Sequence, residues 1–147
     1  MEKTRKKKKR YGFTMVELMA MLIIIGLLAT LVVTRVASHI DRARVTTTKA
    51  NLRELHAAVN QFKMDTGNYP SEELGLQELI EEPTDVTNWT PGGYLETTDL
   101  PPDAWGNDFI YERFPESGKP FVIKSLGADG DEGGEDLDTD LLSTDAF

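Results

Sequence analysis

The sequence predicts an α+β fold, a long N-terminal helix packed on a small antiparallel β-sheet head, and three observations predict it. Residues 13–34 form an uninterrupted run of 22 positions whose single charge is Glu17. Further on, Leu52, Leu55, Val59 and Phe62 recur at spacings of three, four and three, which puts them on one face of a helix. Asp108–Phe114 and Pro120–Leu126 are rich in β-branched and aromatic residues and flank Pro115-Glu116-Ser117-Gly118-Lys119, the pattern of a hairpin.

In chain order, residues 1–12 form a basic leader: Lys3, Arg5, Lys6, Lys7, Lys8, Lys9 and Arg10 face the single acid Glu2. The remaining chain carries 9 basic and 24 acidic residues, so two electrostatic objects share one polypeptide. Residues 13–34 would reach about 33 Å as a helix, enough for a hydrocarbon core of about 30 Å, and read as a membrane span. The basic block before it predicts a cytoplasmic N-terminus and puts residues from about 36 onward across the membrane. A conventional secretory signal fits less well, because the run exceeds an h-region of about 7–15 residues and no small-x-small site follows it. Cleavage after Gly12 instead would leave the run attached and give Phe13 a free amine one helical turn from Glu17.

Residues 35–64 continue the same helix in amphipathic form, with Val36 and Ile40 four apart. Thr46-Thr47-Thr48 is its weak point, since β-branched residues lower helix propensity. Asp65-Thr66-Gly67-Asn68-Tyr69-Pro70 ends it, giving about 78 Å from Phe13 to Met64. Residues 65–147 make the head: a short helix over Glu72–Glu81 with Leu76, Leu79 and Ile80 inward, loop over residues 83–107, the hairpin, and an acidic, glycine-rich C-terminal loop.

Catalytic chemistry has little to work with. There is no cysteine, His39 and His56 lie 17 residues apart on the long helix without an HExxH spacing, and no GxxxxGK[ST] loop occurs. Both histidines are expected on the helix surface. No nucleic-acid surface accompanies the basic block, whose place beside an apolar run gives it a topological role. The chain is read as a non-enzyme.

Gly12-Phe13-Thr14-Met15-Val16-Glu17 after a basic leader resembles the class III prepilin signal of type IV pilins and type II secretion pseudopilins. The resemblance implies a pilin-like fold, cleavage after Gly12 by a prepilin peptidase, methylation of the Phe13 amine, and assembly of the helices into a filament. It implies too that Glu17 neutralises the amine of a neighbouring subunit, sound physically because opposite charges leave water cheaply only as a pair. Tyr69-Pro70, Gly75-Leu76, Glu82-Pro83-Thr84, Gly93-Tyr94-Leu95, Leu100-Pro101-Pro102-Asp103-Ala104-Trp105-Gly106-Asn107 and Ser125-Leu126-Gly127-Ala128-Asp129-Gly130 further resemble, in order, the major pseudopilins of type II secretion. Ala104 departs from the Pro usual in that family, and Thr34 stands where many members have the Pro that kinks the helix. Trp105 is expected as a buried aromatic over a turn.

The resemblance also implies calcium. The segment from Ser125 to Asp140 crowds acids among four glycines after Leu126, and reads on composition either as a solvated acidic tail or as a hard-cation loop. An EF-hand fits poorly, because Gly133 breaks the fifth position of that loop. Carried over from the pseudopilin loop, the ligands are the side chains of Asp129, Asp138 and Asp140 and the carbonyls of Leu126 and Asp131, with Asp136 as substitute.

The expected function is a structural subunit: a homopolymer forming a periplasmic pseudopilus that drives export of folded proteins, working with minor pseudopilins, an inner-membrane assembly platform and the peptidase. The alternatives are a type IV pilin subunit and a monomeric, membrane-tethered calcium-binding protein. Gly12 with Glu17 favours polymerisation, which a monomeric anchor does not need.

Overall fold

A computed structural model describes residues 12–146, with the side chains of residues 31–38 outside the description. The basic residues of the leader, and the side chains of Thr34 and Val36, therefore lie outside the described residues. One helix, α1, runs Met15–Thr66. The chain divides into two compact units, the first ending at His39 and the second beginning at Ile40.

In the first unit Thr14 caps α1: its Oγ1 accepts the Glu17 backbone N–H at 3.2 Å, and the Leu18 N–H donates to the Thr14 carbonyl at 3.1 Å. Glu17 sits in the first turn, where a carboxylate complements the positive end of the helix dipole. The membrane span expected over 13–34 is corrected here. Among the described residues no helix is long and apolar enough to cross a membrane. The helix begins at Met15 rather than Phe13. The single-span, inner-membrane localisation drawn from that span is corrected with it.

The second unit is built on the other half of α1. Leu52, Leu55, Val59 and Phe62, the four residues of the predicted face, are all completely buried, and so is Thr48 of the threonine run. Around them pack Leu76, Leu79, Leu95, Phe121, Ile123 and Ala146. Helix α1 ends where Gly67, at φ +85°, donates to the Lys63 carbonyl at 2.9 Å.

The short helix expected over Glu72–Glu81 is a single 3₁₀ turn, Gly75–Leu79. Leu76 and Leu79 face inward as expected, while Ile80 is only half-buried. Glu78, on the same turn, is buried because its carboxylate accepts the Ser71 backbone N–H at 3.1 Å and the Ser71 hydroxyl as well. That bond holds the turn to Ser71 and spares it a longer helix.

Strands β1 (Ile110–Arg113) and β2 (Phe121–Ser125) form the expected antiparallel hairpin, with Tyr111 opposite Ile123 and Arg113 opposite Phe121. A third strand, β3 (Leu141–Leu142), pairs antiparallel with β2 and gives the order β1-β2-β3. Ser143 continues the pairing: its N–H donates to the Ile123 carbonyl at 2.8 Å and its Oγ accepts the Ile123 N–H at 3.1 Å. Residues 83–107 carry no helix or strand, as expected, yet Trp89, Tyr94 and Leu100 lean on the core. Trp89, not Trp105, is the tryptophan of that core. Its indole donates to the Glu78 carbonyl at 2.8 Å and its ring meets Tyr94 edge-on. Trp105 is half-buried.

Candidate functional site

The chain has two regions of functional interest, one in each unit. In the first unit Gly12 and Phe13 precede α1, and Phe13 is 67% exposed. Every large apolar side chain named from Met15 to Leu28 is between 49% and 79% exposed. A helix apolar all round is stable only where something covers it.

The second region joins the residue 103–107 turn to the acidic loop. Asp103, 4% exposed, accepts the Trp105 N–H at 3.0 Å and the Asn107 N–H at 2.8 Å on Oδ1, and the buried Ser125 hydroxyl at 2.7 Å on Oδ2. Asn107 then donates through Nδ2 to the Gly127 carbonyl at 3.0 Å. One carboxylate thus satisfies a tight turn and fixes the end of β2 where the acidic loop departs. Ala104 contributes what a proline could not: its backbone N–H donates at 3.1 Å to Thr48 Oγ1, tying the turn to α1.

From there the loop folds back on itself. The Ala128 N–H donates to the Leu137 carbonyl at 2.9 Å, so the two arms run close. A Cβ at Gly127, φ +70°, would stand 2.8 Å from the Leu137 carbonyl oxygen, and one at Gly134, φ +84°, would collide with the Asp138 backbone. These two glycines permit the close approach. Of the residues expected as ligands, Asp129 accepts the Asp131 N–H at 3.1 Å, and Asp138 closes the 3₁₀ turn Asp136–Asp138. Asp140 Oδ2 accepts the Gly133 N–H at 3.2 Å, while its Oδ1 is buried without a hydrogen-bond partner. Leu126 is half-buried, Asp131 exposed, and Asp136 exposed with φ +55°. Among the described residues no three acidic or histidine side chains converge as a metal site.

Lys124 on β2 spans the sheet and the loop, 2.8 Å from Glu132 and 3.5 Å from Glu112. The hydrogen bond to Glu132 raises the Lys124 pKa and lowers that of Glu132. Arg53 on α1 donates to the Ala146 carbonyl, and the C-terminal segment is ordered against the core as far as Ala146, which is 1% exposed. Residues 131–136 of the acidic segment are exposed, and the chain returns to the core after them.

His39 is exposed as expected; His56 is half-buried. It packs on Phe121 with ring centroids 4.7 Å apart, and burial lowers its pKa below the usual 6.5. The unfolded chain therefore binds a proton there more readily than the folded one, so the head's stability is full above pH 6.5 and falls as pH drops through the lowered folded value. Urea titrations from pH 7.5 to 5 should show this decline, and His56→Gln should flatten it.

A long helix against a small antiparallel sheet, with a methylation-type N-terminus, defines the class of pilin-like subunits. The sequence matches the family described as type II secretion system (T2SS), protein G over residues 35–144, and the prokaryotic N-terminal methylation motif over residues 7–33. It is 42% identical over 138 residues to a type II secretion system core protein G of Pseudomonas aeruginosa, covering 92% of this chain and 95% of that one. The protein of the same description from Vibrio cholerae is 35% identical, with 93% of each chain covered. The crystal structure of the major pseudopilin from the type 2 secretion system of enterohaemorrhagic Escherichia coli superposes with a TM-score of 0.60 at 28% identity, covering 72% of this chain and 90% of that one. The chain belongs to the type II secretion system protein G family. It is thus a pseudopilin of that system and not an enzyme.

Proposed function

We propose that the chain polymerises through its first unit into a periplasmic pseudopilus whose growth drives export of folded proteins. The observation that carries the reading is the bare apolar surface from Met15 to Leu28 beside Gly12, Phe13 and Glu17. Repeated neighbours of the same kind would cover such a helix on every side, and in an apolar lattice Glu17 needs a cation, which the Phe13 amine of the next subunit supplies. Prepilin peptidase releases that amine by cleaving after Gly12, and methylation follows at Phe13; minor pseudopilins and the assembly platform are the expected partners. Intact mass is the test. The mature chain should begin at a methylated Phe13, and Gly12→Leu should retain the leader. A wild-type chain that still begins at Met1 contradicts the reading.

Calcium belongs to the same proposal. The buried, unpartnered Asp140 Oδ1 is an oxygen without a cation or donor, and the Gly127 and Gly134 approaches bring backbone carbonyls near the acids. Asp129, Asp138 and Asp140, with the carbonyls of Leu126 and Asp131 and Asp136 in reserve, would hold the ion, which would supply charge neutralisation to the loop. Calcium at ten times its Kd should add about 1.4 kcal/mol of stability, a rise of roughly 5–10 °C in Tm. Asp140→Ala should abolish that rise, and an unchanged Tm of the wild-type chain at millimolar calcium contradicts the calcium reading alone.

A further inference from the structure

From residue 65 onward the chain has 21 acidic residues and only three basic ones, Arg113, Lys119 and Lys124. Lys124 is engaged by Glu112 and Glu132. Among the described residues Arg113 and Lys119 make no ion pair, and both belong to the tip of the β1–β2 hairpin. Between them stands Phe114, 66% exposed, with the Arg113 guanidinium 5.0 Å from its ring centroid. Phe114 holds φ +52°, the left-handed region that a bulky side chain rarely adopts, while its N–H donates to the Pro120 carbonyl at 3.0 Å to close the loop. A glycine would meet that backbone requirement more cheaply. Arg113 Nε is buried without a hydrogen-bond partner. On the other side of the tip Lys119 lines a groove of about 260 Å³ with His56, Asn60 and Thr144, and no acid is among the groove's lining residues. Glu116 is the one acid of the turn itself.

We infer that this tip is a docking surface for the acidic face of the head of a second copy of this chain. The inference rests on the polymer reading and names the contact that makes it electrostatically tolerable. Heads this acidic repel one another when packed at the spacing of a filament. From residue 65 onward, Arg113 and Lys119 are the cations each copy can offer its neighbour, and Phe and Arg are both enriched in protein interfaces. Phe114 supplies the apolar contact, the Arg113 guanidinium and Lys119 ammonium receive carboxylates, and the strained backbone keeps the ring outward. Such a contact selects another copy over a basic partner, which the remaining acids of the head also attract but which the tip repels.

A photo-crosslinker in place of Ser117, in full-length chain expressed with the other components of the secretion system, tests the inference. The expected product is an inter-chain crosslink that mass mapping places in an acidic segment of a second copy. Arg113→Glu should reduce it at least fivefold. Phe114→Gly should reduce it comparably while leaving the melting temperature of the chain unchanged or higher, which a merely structural phenylalanine would not do. The same cells carry, as a reference, chains with two cysteines, one between Met15 and Leu28 and one between Arg53 and Met64. If the cysteine multimers form but Ser117 gives no inter-chain product, reaches a different protein, or is indifferent to Phe114→Gly, the docking surface is wrong and the filament stands. If the cysteine multimers are also missing, the filament reading fails and the docking surface falls with it.

Discussion

Asp103→Ala is expected to cost the head about 3–5 kcal/mol. The carboxylate is buried, and its removal strands the Trp105 and Asn107 N–H groups and the Ser125 hydroxyl at once. Each orphaned buried group costs about 1–3 kcal/mol, partly recovered where water enters. Asp103→Asn retains one acceptor oxygen and should lose about half as much. Because Ser125 and Asn107 lead directly into Gly127, the same variant should loosen the acidic loop. Denaturant unfolding measures the first effect and amide exchange at residues 127–140 the second; an Asp103→Ala chain within 1 kcal/mol of wild type contradicts the network.

Glu17→Ala should leave the head's stability unchanged and abolish assembly. The helix loses only the dipole contribution of a first-turn carboxylate, about 0.3–1 kcal/mol, since Thr14 Oγ1 caps it through the Glu17 backbone and not its side chain. The filament loses the partner of each neighbouring Phe13 amine, and an unpaired charge in an apolar lattice costs several kcal/mol per subunit, enough to prevent addition. Export by the system should fall at least tenfold while cleavage after Gly12 continues. Glu17→Asp shortens the reach by one methylene and should assemble poorly rather than not at all. Normal export by Glu17→Ala would leave the Glu17 carboxylate only its dipole contribution in the first turn of α1.

The parts of this architecture legible in the sequence are those governed by local periodicity. Leu52, Leu55, Val59 and Phe62 declare a helix face because 3.6-residue spacing leaves a trace in any amphipathic segment, and Tyr111 and Ile123 declare strands because their segments are dense in residues that suit a pleated surface. Strand β3 leaves no such trace. Leu141 and Leu142 become a strand only because β2 offers its edge and Ser143 adds a hydroxyl to the ladder. The turn after Tyr69 reads as a helix by its leucines, but Ser71 captures Glu78 and tightens it to 3₁₀. His56 looks like a surface histidine until Phe121, 65 residues further on, lies against it.

The candidate sites divide in the same way. Gly12, Phe13 and Glu17 lie within six residues, so their relation is visible in a string of letters. Asp103 is not, because Pro101-Pro102-Asp103-Ala104 reads as a turn whichever way its carboxylate points, and the partner that gives it weight is Ser125. The acidic loop announces hard-cation chemistry by composition, while the direction of each carboxylate depends on backbone turns that no spacing encodes. Apolar length raises the expectation of a membrane span, and among the described residues no helix is long and apolar enough to meet it.

Assembly of a filament through the first unit is open to a direct test. The chain has no cysteine of its own, so two introduced ones, one in the exposed run Met15–Leu28 and one on the exposed face between Arg53 and Met64, are unique probes. With a short bifunctional crosslinker, in cells that express the other components of the secretion system, the expected product is a regular ladder of dimers, trimers and higher multimers that disappears with Glu17→Ala. A single monomer band at every cysteine pair, with the chain fully processed, would contradict it.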